Sequence, residues 1–172
     1  MASLRVRARE EKAQARPQDV WLPFTPLEKD EADILVDRIT KEAGPMLLQD
    51  PTKALLKPLR PVALGVNEVT RLVESRAARV IVMSSDAAVQ TMCQHVAVMA
   101  EQLAVPICVV PVAPSELGAI FKLKQVSVFA FRTITQESTA ELEDALIQLR
   151  SIQDFAISKA SSPAAVPSLQ RI

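Results

Sequence analysis

Three short apolar runs constrain this chain more than any other feature: RVIVM at residues 79–83, PICVVP at 106–111 and VSVFAF at 126–131. Each has the length and β-branched or aromatic character of a strand, and RVIVM reads as a buried one. Between and around them the period changes to that of a helix, in LGVNEVTRLVES at 64–75, AAVQTMCQHVAVMAEQLA at 87–104, PSELGAIFKL at 114–123 and STAELEDALIQLRSI at 138–152. Ser138 and Glu141 form a capping-box pattern at the start of the last segment. Strands alternating with helices predict an α/β domain with helices on both faces of a small sheet.

Upstream, TPLEKDEADILVDRITKEAGP predicts a further helix. Thr25 is its N-cap, Pro26 its first residue and Glu28 the partner in a capping box; Gly44-Pro45 is its stop. Trp21 and Phe24 lie in a Pro-interrupted stretch that reads as an anchoring segment, and four prolines between residues 45 and 61 mark a connector. The expected organisation is a basic arm at 1–20, an anchoring segment with helix and connector at 21–60, the α/β domain at 61–157 and a tail at 158–172.

The 172 residues are 49% hydrophobic, enough for one core, and 20 basic side chains balance 20 acidic ones. The balance is uneven along the chain: Arg5, Arg7, Arg9, Lys12 and Arg16 face only Glu10 and Glu11, a pattern that suits phosphates or a plain soluble tail. Two cysteines, Cys93 and Cys108, sit in apolar runs and suggest a reducing compartment. No apolar run approaches the roughly 20 residues that span a bilayer, so a soluble intracellular protein without a membrane partner is expected.

Enzyme chemistry finds no footing. The single histidine, His95, lies in an amphipathic helical pattern without a nucleophile beside it, and a structural role is its ordinary reading. Cys93, His95 and Cys108 do not have zinc spacings, and Gly44, Gly65 and Gly118 are too far apart for a phosphate-binding loop. The acidic pairs Asp30/Glu31 and Glu141/Glu143 read as solvated helix faces. No catalytic residue, metal or cofactor is expected.

One stretch is harder to dismiss. In GVNEVTR, Gly65 precedes a helix whose first turn carries Asn67 and Glu68, with Arg71 following. The glycine permits close backbone approach, and the two forked side chains either cap the helix or meet a partner. GVNEVTRLVE, then RVIVMSSD, His95, VPICVVP and SELG together resemble the ribosomal-protein superfamily that binds RNA kink-turns, without gaps from about Pro61 to Phe131.

The resemblance implies a three-layer α-β-α sandwich with a small mixed sheet, here extended by an N-terminal helix. It implies RNA contact by Gly65, Asn67, Glu68, Arg71 and Asp86. Asn67 and Glu68 would read the edges of sheared G·A pairs, and Arg71 would fork onto phosphate or guanine. A second contact would be Val110, Pro111, Val112, Ala113 and Pro114, packed against a flipped-out nucleotide, with Glu116 and Gly118 at the start of the next helix. Leu64, Ser84-Ser85 and Ala113-Pro114 depart from the superfamily's usual residues, Leu64 and Ala113-Pro114 at places where a lysine is common, and the fewer cations imply weaker phosphate attraction.

Within the superfamily the flanks, WLPFTPLEKDEADILVDRITKEAG, LKQVSVFAF and VPSLQRI, look like the branch of the thirty-eight-kilodalton protein subunit of nuclear ribonuclease P and RNase MRP. That implies a non-catalytic subunit supporting precursor tRNA and rRNA processing in the nucleus and nucleolus, bound to ribonuclease P/MRP RNA and to neighbouring protein subunits. The sister reading is a kink-turn-binding protein of the ribosome or a small nucleolar RNP. A reading of a different class is a protein-interaction module of the same fold that has lost RNA binding.

Overall fold

In a computed structural model, the protein is described at residues 26–49, 52–134 and 142–160. The expected arm, Trp21, Phe24, the Thr25 cap, the Ser138–Glu141 capping box and most of the tail lie outside those residues.

The sheet has four strands: β1 (Val62–Leu64), β2 (Ala78–Ser84), β3 (Ile107–Val110) and β4 (Val128–Arg132). Their spatial order is β1-β4-β2-β3. β4 is antiparallel to β1 and to β2, and β2 is parallel to β3, so the sheet is mixed as expected. β1 is not among the runs read as strands, and its last residue, Leu64, falls where the sequence reads as the beginning of a helix. Three residues cannot declare a period, and β1 exists because β4 offers it an edge, pairing Val62 with Phe131 and Leu64 with Phe129.

Eight helices pack around it among the described residues: α1 (Lys29–Arg38), α2 (Gly44–Leu48), α3 (Thr52–Leu56), α4 (Val66–Glu74), α5 (Ala87–Met92), α6 (Gln94–Gln102), α7 (Pro114–Ile120) and α8 (Glu143–Lys159). Strand side chains alternate between faces, and each face has its own apolar layer. Val80, Val82, Cys108, Val110, Phe129 and Phe131 pack with Leu35, Ile39, Leu117, Leu149 and Ile152. Ile81, Met83, Ile107, Val109, Val128 and Ala130 pack with Val69, Leu72, Val73, Val96 and Ala100. The result is the expected three-layer sandwich. Phe129 meets Phe121 and Phe131 edge-on, with ring centroids 5.1 and 5.8 Å away, an arrangement that adds to the roughly 1.5–3 kcal/mol of burying one such ring.

Three helix boundaries differ from expectation. The residue entering α1 is Glu28 rather than Thr25, and its side chain makes no capping bond; Pro26 instead lies beside β3, where Leu27 N–H donates to Val109 O at 2.8 Å. Gly44-Pro45 does not stop the helical path. A π-helical turn at Ile39–Ala43 widens the backbone ahead of Pro45, with Gly44 N–H donating to Ile39 O, and the path continues into α2 with the proline in its first turn. The long segment at 87–104 breaks at Cys93, which ends α5 and caps α6. The N-terminal helix is no loose appendage: Ala32, Leu35 and Ile39 lie in the same core as Phe129.

Gly118 is required by packing. A Cβ there would come within 2.6 Å of Gln125 Cα and 2.8 Å of Leu123 O, backbone atoms that cannot swing away. Gly118→Ala is therefore expected to lower unfolding free energy by about 1–3 kcal/mol, read as a lower denaturant midpoint at an unchanged slope.

Candidate nucleic-acid interface

β1, β2 and β3 all end at the same end of the sheet, where β4 begins, and backbone hydrogen bonds tie these ends together. Gly65 N–H donates to Val128 O at 2.9 Å, Ser84 N–H to Ser127 O at 3.0 Å, and Ser85 N–H to Val110 O at 2.9 Å. The two regions named from the sequence, the start of α4 and the segment after β3, thus share one rim of the sandwich.

At the first, Gly65 caps α4 with φ 85° and ψ 161°, a conformation costly for any residue with a Cβ. The space a Cβ would occupy is open, with nothing within 4 Å, so the glycine serves the torsion and leaves the surface clear. Asn67 and Glu68 are both exposed in the first turn but are not equivalent. Glu68 Oε2 accepts from Leu64 N–H at 3.2 Å, one of the groups β1 presents away from β4. Glu68 is therefore partly a cap. Asn67 makes no side-chain hydrogen bond among the described residues, so both its donor and its acceptor are available. Arg71, one helical turn beyond Asn67, is exposed and carries no ion pair among the described residues.

Two side chains hold this helix start, Thr70, which the sequence does not single out, and His95. Thr70 Oγ1 donates to Val66 O at 2.6 Å and meets His95 Nε2 at 3.0 Å; the threonine proton being committed, the imidazole donates through Nε2–H. His95 thus bridges α6 to α4, which agrees with its structural reading.

At the second region, Val110 is the last residue of β3 and is fully buried, so its side chain belongs to the core rather than to a surface loop. Pro114 is the first residue of α7. The loop proper is Pro111–Ala113. Pro111 and Ala113 are exposed, while Val112 is half-buried against the core and its N–H turns back to Val110 O at 2.8 Å. Glu116 is exposed within α7. Asp86 is committed locally: its Oδ1 accepts from Ala88 N–H at 2.9 Å and caps α5.

The hinge between these pieces is Ser84, which the sequence reading noted only as a departure. Fully buried, its Oγ donates to Val112 O at 2.6 Å and accepts from Asp86 N–H at 3.2 Å, joining the loop to the α5 cap. A serine ending an apolar strand and followed two residues later by an aspartate was the available signal. The expected shortage of cations is also partly made good nearby. Lys122 and Lys124 are exposed on the segment that returns from α7 to β4, whose Val126 N–H donates to Pro114 O at 2.9 Å.

No group of three or more potential metal ligands occurs among the described residues, and no helix among them is long and apolar enough to cross a membrane. Burial pushes the thiols up, Cys93 to about 11 and Cys108 to about 12, so neither is a thiolate nucleophile near neutral pH.

A family model described as "Ribosomal protein L7Ae/L30e/S12e/Gadd45 family" matches residues 48–142, over half of the chain. Among solved structures, the Giardia lamblia 15.5kD RNA binding protein is similar at 14% identity and a TM-score of 0.48, over 76% of this chain and 94% of that one. A comparison with curated proteins finds no match.

The unequal roles of the two forked residues can be read by stability alone. Glu68→Ala is expected to cost about 0.5–1 kcal/mol, because Leu64 N–H loses its partner, whereas Asn67→Ala leaves the thermal midpoint unchanged or slightly higher. Paired thermal melts check this; a loss at Asn67 equal to that at Glu68 would make Asn67 a cap as well.

Proposed function

The chain belongs to the ribosomal protein L7Ae/L30e/S12e/Gadd45 family, and from that premise we propose that it is a non-catalytic RNA-binding subunit of a ribonucleoprotein, clamping a kink-turn-like bend. The single observation that carries the reading is Asn67. It is an exposed fork with no side-chain hydrogen bond among the described residues, close to a glycine whose outer face is open. A side chain with both donor and acceptor free at such a place can take both edges of a sheared G·A pair.

In this reading Arg71 forks onto phosphate or guanine, Glu68 accepts from a base amino group with the oxygen not held by Leu64, and Pro111 and Ala113 offer apolar contact to an extruded base. The protein performs no bond chemistry. It binds the bent RNA better than the extended one and so shifts the population. Driving a bend from rare to dominant takes about 5.5 kcal/mol of differential binding, within reach of three contacts worth about 1–3 kcal/mol each.

The narrower assignment, to ribonuclease P/RNase MRP with a role in precursor tRNA and rRNA processing in the nucleus and nucleolus, rests on the likeness of the flanking segments. The involvement of α1 in the main core is consistent with a flank retained as part of the domain. A protein-interaction module is the second reading, favoured by the one observation that Glu68 already has an internal partner.

Affinity purification at moderate salt followed by sequencing of the bound RNA tests the proposal, with Asn67→Ala in parallel. Enrichment of ribonuclease P or MRP RNA, reduced at least about ten-fold in the variant, is expected. Enrichment of ribosomal or small nucleolar RNA would keep the clamp and overturn the narrower assignment; RNA-free protein in both forms would overturn the clamp.

A further inference from the structure

Beyond the rim, the outer edge of β1 carries charge that the contacts described so far do not use. β1 is an edge strand; a cleft of about 560 Å³ lies along it, and a second of about 550 Å³ adjoins the first, the two sharing Arg60 and Arg132 as walls. The first also holds Arg71 and Glu68, beside Leu72 and Ser75; the second holds Arg76. Four arginines therefore line one continuous depression. The one carboxylate among its described lining residues, Glu68, already accepts from Leu64 N–H.

Two arginines elsewhere on the surface provide a contrast. Arg38 is paired with Glu42 at 3.2 Å and Arg79 with Asp154 at 2.9 Å, as expected of a chain with as many acids as bases. Among the described residues none of Arg60, Arg71, Arg76 and Arg132 has such a partner. Two of them also occupy costly backbone positions: Arg60 at φ 44° closes the 3-10 turn Lys57–Leu59, and Arg76 at φ 58° follows α4. Both are helix-end sites where glycine is the ordinary residue. Arg132 is held in place, its Nε–H donating to Arg60 O at 3.2 Å.

We propose that this depression is a phosphate track, which carries the RNA interface from the bend onto the backbone of the adjoining double-stranded stem. The proposal rests on the RNA reading above and goes beyond it. Geometry favours a polyanion over a single small ion. Arg71 lies one turn from Asn67, Arg76 lies beyond the far end of α4, roughly 13 Å along the axis, and Arg60 and Arg132 flank β1 at that far end. Guanidiniums spaced along such a path suit the repeating phosphates of a duplex, whose shape and backbone are what proteins chiefly read.

The test uses the full chain and two synthetic kink-turn RNAs, one with a long stem beside the bend and one cut short at the bend, each titrated at several salt concentrations. Wild type is expected to bind the long-stem RNA more tightly and with a steeper salt dependence. Arg60→Gln/Arg76→Gln should bind the short RNA as wild type does but lose the long-stem advantage, with the slope reduced by about one per arginine removed. Arg60→Lys/Arg76→Lys should restore most of the slope, which separates charge from any effect on the fold. A Gln variant that keeps the long-stem advantage, or that loses both RNAs equally, would overturn the track and leave the clamp standing. Binding of neither RNA by wild type would overturn the clamp and the track together.

Discussion

β4 is the strand on which the rest of the molecule is registered. It pairs with β1 on one side and β2 on the other, its Phe129 and Phe131 fill one apolar layer, and its Val128 and Ala130 face the other. The same strand begins at the rim: Val128 O receives the Gly65 N–H that launches α4, and Ser127 O receives Ser84 N–H. Core packing and site geometry are therefore one constraint. A shift of β4 by one residue would exchange its two faces, moving the phenylalanines to the wrong layer and Gly65 out of place.

The rim shows how a small domain divides its polar side chains between holding itself together and meeting a partner. Ser84, Asp86, Thr70 and His95 are spent on internal bonds that fix the loop, the α5 cap and the α4 start. Glu68 is shared between the two tasks, and Asn67 and Arg71 are left over. Two free side chains on a firmly held frame are a better recognition element than a larger number of mobile ones, because less ordering entropy is lost on binding.

Much of this was legible from the residues. The three apolar runs became β2, β3 and β4, and the GVNEVTR start became a glycine-capped helix, because strong periodicity and a positive-φ glycine are local signals. What was not legible depends on tertiary context. β1 is too short to carry a pattern and exists only beside β4, and the helical path through Gly44-Pro45 survives because a π turn precedes the proline. Val110 is a loop contact by the family resemblance, but it ends β3 and its side chain is buried in the core. The edge arginines are scattered at 60, 71, 76 and 132, so only the fold reveals them as neighbours.

The measurement that bears most directly on the clamp is a binding titration of the purified protein. Its ligands are a kink-turn RNA with tandem sheared G·A pairs and the same RNA with those pairs replaced by Watson–Crick ones. The account predicts saturable binding to the first and an affinity for the second weaker by about ten-fold or more, since Asn67 and Glu68 lose the edges they would read. Equal affinity for the two RNAs, or none for either, would contradict it.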